Sequence, residues 1–172
     1  MDAEKRRESI KAQLLQQEEP VSASRLAQQL GVSRQIIVGD IALLRTQGCD
    51  IVATARGYMR AKAVVSGRYV GKIACQHSLA DTKNELYTIV ELGGQVLDVV
   101  VEHELYGEIT GQLNLASCSD VNAFLQKVAN NEARLLSELT DGVHLHTIAC
   151  RDAAAFETIR AALARQSLLY AP

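Results

Sequence analysis

No run of about 18 apolar residues occurs in this 172-residue chain, which excludes a transmembrane helix. The four cysteines, Cys49, Cys75, Cys118 and Cys150, include no C-x-x-C pair. That argues against a disulfide framework and reads each as a small buried hydrophobe. Internal repeats and low-complexity segments are absent as well. Charged residues make up 22% and hydrophobic residues 48%, a balance that excludes extensive disorder. Met1–Lys11 is too charged for a secretory signal, so the expected location is the cytoplasm.

What is present is organised by charge. The net value of −2 divides into +3 over residues 1–62 and −5 over residues 63–172. All four histidines, His77, His103, His144 and His146, fall in the acidic part. A basic front and an acidic back predict two modules with different partners, bounded at 1–62 and 63–172.

In the front module, helical spacing of Ile10, Leu14 and Leu15 predicts a helix over 2–17, ended by Pro20. Ser22 or Ser24 caps a second helix that stops at Gly31, and Ser33 caps a third over 34–47 with an Ile36, Ile37, Ile41, Leu44 stripe. Ile51–Thr54 and Tyr58–Ala61 then read as a hairpin. Three helices with a tight Gly-Val-Ser turn, followed by a hairpin, make a winged helix-turn-helix, with 62–68 as a short linker.

The back module reads as strands at 69–76, 95–102, 107–115, 143–150 and 167–170. Its helices are 81–92, 119–130 and 152–165, capped by Asp81, Ser119 and Asp152. The expected class is α+β throughout: the winged helix-turn-helix, then an α+β regulatory domain with a mixed sheet and helices on one face.

A helix-turn-helix places the N-terminal residues of its second helix at base edges in the major groove. Here those residues are Ser33, Arg34 and Gln35. Arg suits guanine, Gln suits adenine, and Ser33 at the helix start suits a phosphate. Arg45 and Arg56 are candidates for backbone phosphates, with Lys5, Arg6 and Arg7 as additions. Gly39 inside this helix is unexpected, because glycine costs about 1 kcal/mol there relative to alanine. It permits a close backbone approach or is simply tolerated.

His144 and His146 flank Leu145 on an expected strand, so both imidazoles share one face. His77 ends another strand, and Glu85 lies on the following helix, within reach across a short loop. Three imidazoles and a carboxylate suit a divalent transition metal, nickel or zinc first, with iron or manganese as alternatives. His-x-His also reads as a buried pair without metal. His103 and Tyr106 suit a small aromatic carboxylate, and equally a hydrogen-bonded pair at a sheet end. Cys75 and Cys150 either line the site or pack the core.

The stretch VSASRLAQQLGVSRQIIVGDIALLRTQGCDIVATARGYMR resembles the winged-helix domain of biotin-ligase-type repressors and related regulators. Its second half is most similar to the nicotinate-responsive repressors of NAD biosynthesis, the NiaR family. The segments around His77–Glu85, DVVVEHELYGEI and LTDGVHLHTI resemble the three-histidine (3H) domain of that family. The resemblance implies that His77, Glu85, His144 and His146 hold a divalent metal. It also implies nicotinic acid as co-repressor, operator DNA of NAD-synthesis and niacin-uptake genes as target, a homodimer, and no enzyme activity. Gly39 and Ala53–Ala55 depart from the family pattern, which bears on the operator sequence. A metal-sensing regulator is the alternative reading, and a small metal-dependent hydrolase a remoter one.

Overall fold

Ser22 and Ser33 each turn the chain into a helix. Ser22 Oγ accepts the Arg25 amide at 3.2 Å, and Ser33 Oγ accepts the Ile36 amide at 3.3 Å. The computed structural model describes residues 2–61, 67–130 and 134–171. It divides the chain into two units, 1–63 and 64–172. Residues 62–66 of the expected linker lie outside the described residues.

The first unit comprises α1 (Ala3–Gln16), α2 (Ala23–Leu30), α3 (Arg34–Thr46), β1 (Ile51–Thr54) and β2 (Gly57–Arg60). Ile10, Leu14, Leu26, Ile37, Ile41 and Leu44 form its core. Each such side chain stabilises the fold by about 1.5–3 kcal/mol through loss of water-exposed area. Two residues of the expected stripes point outward instead: Leu15 is 52% exposed and Ile36 42%. Val21 exchanges both backbone bonds with Tyr58 at 2.8 Å, adding a third edge to the hairpin. Gly57 makes this possible, because a Cβ there would lie 2.4 Å from the Val21 carbonyl oxygen.

Periodicity gave no sign of the buried carboxylate in α3. Asp40 is 4% exposed and receives Arg6 Nε at 2.5 Å and Nη2 at 3.3 Å, with Arg7 Nη1 at 3.6 Å. Arg6 and Arg7, expected as additional phosphate contacts, are thus engaged inside the unit, and they tie α1 to α3. Removing one partner of a buried pair strands the other's charge. Asp40→Ala is therefore expected to lower stability and shift the urea midpoint down; urea unfolding followed by circular dichroism checks it.

The second unit comprises β3 (Tyr69–Gln76), α4 (Thr82–Glu91), β4 (Gln95–His103), β5 (Gly107–Leu115), α5 (Cys118–Asn130), β6 (Val143–Cys150) and α6 (Ala153–Arg165). The strand order is β3-β6-β4-β5. The α+β class holds, but the sheet expected to be mixed pairs antiparallel at every neighbour. The last strand slides between β3 and β4, which run parallel to each other with α4 as their crossover. Ile73 pairs with His146 and Cys75 with His144, so these side chains share one face. Both α4, through Glu85, and α6, through Phe156 against Gly71, cover that face.

Three local expectations change. Residues 167–170 form only a single bridge, Leu169 to Cys75, because the chain has just left α6 through Ser167 at φ 58°. Asp81 makes no capping bond: a short turn over Leu79–Asp81 precedes α4, and Asp81 accepts from Ser78 Oγ at 3.2 Å instead. The cap of α5 is Ser117 rather than Ser119, with Ser117 Oγ and the Asp120 carboxylate accepting each other's amides at 3.1 Å. Asp152 caps α6 as expected, accepting the Ala155 amide at 2.8 Å.

Candidate functional site

Two strands and a helix deliver one cluster. His144 and His146 project from β6, His77 follows β3 on the Cys75 side, and Glu85 reaches in from the first turns of α4. The Nε2 atoms of His77, His144 and His146 lie 2.8, 3.1 and 3.4 Å from the Glu85 carboxylate. All four side chains are almost wholly buried, Glu85 at 1% exposure.

The opposite ring nitrogens settle the tautomers. Nδ1 of His77 donates to the Ser78 carbonyl at 2.9 Å, that of His144 to the Gly142 carbonyl at 2.8 Å, and that of His146 to the Asp98 carbonyl at 2.7 Å. A carbonyl only accepts, so each Nδ1 carries hydrogen and each neutral Nε2 offers a lone pair inward. A bulge in β4 between Val96 and Asp98 accompanies the Asp98 contact. Gly142, at φ 85°, brings the chain so close to His77 that a Cβ would meet the His77 carbonyl oxygen at 2.4 Å. The turn before β6 is thus built for glycine.

Three imidazole lone pairs ring the Glu85 carboxylate and repel it unless a cation lies between. Protons or a metal ion meet that need. Without a metal, burial opposes ionisation of Glu85, but protonated imidazoles, His146 foremost, outweigh it and hold the carboxyl far below its usual range. Burial likewise depresses His77 and His146, and Glu85 overrides it, raising both above the ordinary imidazole value. His77 Nε2 is nonetheless buried without a hydrogen bond of proper geometry, although Glu85 Oε2 is 2.8 Å away. Such an orphan suits metal coordination better than a proton bridge. Carbonyl-anchored imidazoles are also the usual outer support of metal-ligating histidines. The donor set therefore fits a divalent transition metal.

Cys75 sits beside this cluster, its Sγ within 4.8 Å of ligand atoms of Glu85 and His144. Burial, with Glu85, pushes its thiol up and keeps it protonated. Cys150 instead donates to the Asp152 carbonyl at the start of α6 and lines nothing here. A small pocket adjoins the cluster. Its floor is His77, Glu85, His144 and His146, and its walls include Val99, Leu113, Phe124, Leu135 and Leu136. His103 and Tyr106 stand elsewhere, at the β4–β5 turn, with rings 5.0 Å apart and Tyr106 76% exposed. No wall of the pocket, among the described residues, comes from either.

In the first unit, Ser33, Arg34 and Gln35 open α3 on the solvent side. Arg45 is tied to the hairpin, its Nε donating to the Ile51 carbonyl at 2.8 Å and its guanidinium lying 5.9 Å from the Tyr58 ring centre. Arg56, at the hairpin turn, pairs with Glu19 at 3.0 Å. Sequence reading did not find that pair, since nothing local links residues so far apart.

Residues 70–172 match the 3H domain and residues 6–59 a helix-turn-helix (HTH) domain. The chain is 41% identical over 168 residues to the "Probable transcription repressor NiaR" of Thermotoga maritima, covering 96% of this chain and 94% of that protein. The chain belongs to the NiaR family of transcription repressors. It is also 38% identical over 149 residues to the "Transcription repressor NadR" of Bacillus subtilis, covering 86% of this chain and 83% of the relative. The repressor is accordingly a DNA-binding regulator and not an enzyme. Its helix-turn-helix implies operator DNA as a partner. No described helix is long and apolar enough to cross a membrane.

Proposed function

We propose that this repressor senses nicotinic acid as co-repressor, holds a divalent transition metal at His77, Glu85, His144 and His146, and acts as a homodimer on operators of NAD-biosynthesis and niacin-uptake genes in the cytoplasm. The observation that carries the reading is the convergence of three carbonyl-anchored imidazoles on Glu85 at the floor of an apolar pocket. A bound metal, nickel or zinc first, supplies the positive charge this anionic floor needs before it can face a carboxylate. Phe124, Leu135 and Leu136 suit the ring of a small aromatic acid. The reading sets the ligand in this pocket, with His103 and Tyr106 at the β4–β5 turn as a second candidate pair for it. Within the first unit, Arg34 and Gln35 read base edges, Ser33 meets a phosphate, and Arg45 and Arg56 flank the backbone from the hairpin side. Two copies then present two recognition helices about 34 Å apart.

Binding of the ligand shifts DNA affinity only as far as the ligand prefers the DNA-competent state. For metal-loaded protein, nicotinate is expected to tighten binding to an operator duplex about 5- to 150-fold. Fluorescence anisotropy with a duplex selected from a random-sequence pool measures this. The buried metal cluster favours a second reading, in which the metal is itself the signal. If nicotinate changes nothing while metal alone alters operator affinity, that second reading holds and the co-repressor assignment fails.

A further inference from the structure

The side of α3 that carries Ile37, Asp40, Ile41 and Leu44 is buried. At 100° per residue, the centre of the opposite side falls on Gln35, Gly39 and Ala42, all three exposed. Glycine weakens a helix interior, so its presence there calls for a reason. The fold supplies none. Gly39 is not among the residues with positive φ, and α3 runs unbroken from Arg34 to Thr46. A Cβ built on Gly39 would meet no described atom within 4 Å. Gly57 and Gly142 contrast with it, since a Cβ at either would strike backbone at 2.4 Å.

The reason therefore lies outside the chain. This helix is the second of the helix-turn-helix, the one that enters the major groove. We infer that Gly39 is a specificity-determining position: without a side chain, the backbone of α3 comes close enough to the groove floor for Arg34 and Gln35, about one turn earlier, to reach base edges. Base readout needs donor–acceptor distances of about 2.7–3.2 Å. A methyl group at the centre of the docking face holds the helix off by about the length of a carbon–carbon bond, which breaks that geometry. Phosphate contacts at the groove rim tolerate such a shift better, because they are electrostatic and independent of sequence.

Gly39→Ala tests this, with the full chain and two duplexes: one selected from a random pool by the wild-type protein, and a shuffled version of it. The variant is expected to fold more stably, with its folding equilibrium constant raised about fivefold in urea unfolding. Its Kd for the selected duplex is expected to rise tenfold or more, while that for the shuffled duplex stays within twofold. Unchanged affinity for the selected duplex overturns the inference. So does an equal loss on both duplexes, which would mean a general weakening rather than lost readout. A drop in stability also overturns it, because the glycine would then serve the fold itself.

Discussion

Glu85→Gln is expected to abolish stoichiometric metal binding while leaving the second unit folded. Among the described residues, Glu85 is the one anion within 3.4 Å of all three imidazole Nε2 atoms. Glutamine keeps the shape and loses the charge. It also brings an amide NH2, which donates to neutral Nε2 atoms and satisfies lone pairs that the carboxylate leaves facing its own. The variant thus replaces a site that needs a cation with one that does not. Even changes to residues that merely orient ligands cost 10- to 100-fold in metal affinity, so loss of a ligand is expected to cost at least about 100-fold. Metal content by mass spectrometry, with thermal melts run with and without nickel or zinc, reads both effects. Full metal retention would place the ion elsewhere, and a failure to fold would show that the charge is needed for the structure itself.

Stability is expected to depend on pH with opposite signs in the metal-free and metal-loaded states. In the metal-free state, His77 and His146 have raised values when folded, so the folded form binds more protons than the unfolded form. That stabilisation is complete below the ordinary imidazole value of about 6.5 and is lost as pH rises through the raised folded values. Glu85 acts in the other direction: its contribution is present above its ordinary unfolded value and is lost only when pH falls through its depressed folded value, deep in the acid range. Between pH 6 and 8 the histidines therefore decide, and metal-free stability falls by up to about 1.4 kcal/mol per pH unit for each proton released. A metal competes with those same protons, so its stabilising effect grows over the interval. Urea midpoints at pH 6, 7 and 8, in chelator and in excess nickel or zinc, separate the two trends. Parallel slopes would mean that the imidazoles are neutral in the metal-free protein.

The parts of this molecule that sequence made legible are those written in short-range chemistry. Ser22, Ser33 and Asp152 each stand three residues before the amide they accept, and each was readable as a cap. Alternation along the strand puts His144 and His146 on one face. A short loop put His77 and Glu85 within reach of each other, and the family resemblance joined them to His144 and His146. What stayed hidden is non-local. Asp40 carries no local sign of burial, because its partner Arg6 is 34 residues away. The insertion of β6 between β3 and β4 left no mark on any local pattern, and with it came the contact of Cys75 with the histidine cluster. Phe124, Leu135 and Leu136, ordinary core residues by composition, became pocket walls only once the sheet was assembled. The resemblance named four residues as metal ligands by implication; only the fold revealed the backbone carbonyls that orient the three imidazoles.

The late position of β6 in the chain also dictates an order of assembly. β3 and β4 wait with unpaired edges through the making of β5 and α5, and the strand that joins them arrives only at residues 143–150. Closing such long loops is slow compared with helix formation. On the ribosome, the first unit can therefore fold while the centre of the second is still being synthesised. A chain interrupted before residue 144 carries the helix-turn-helix but lacks both histidines of β6. The nascent repressor thus completes its helix-turn-helix before its histidine cluster can close.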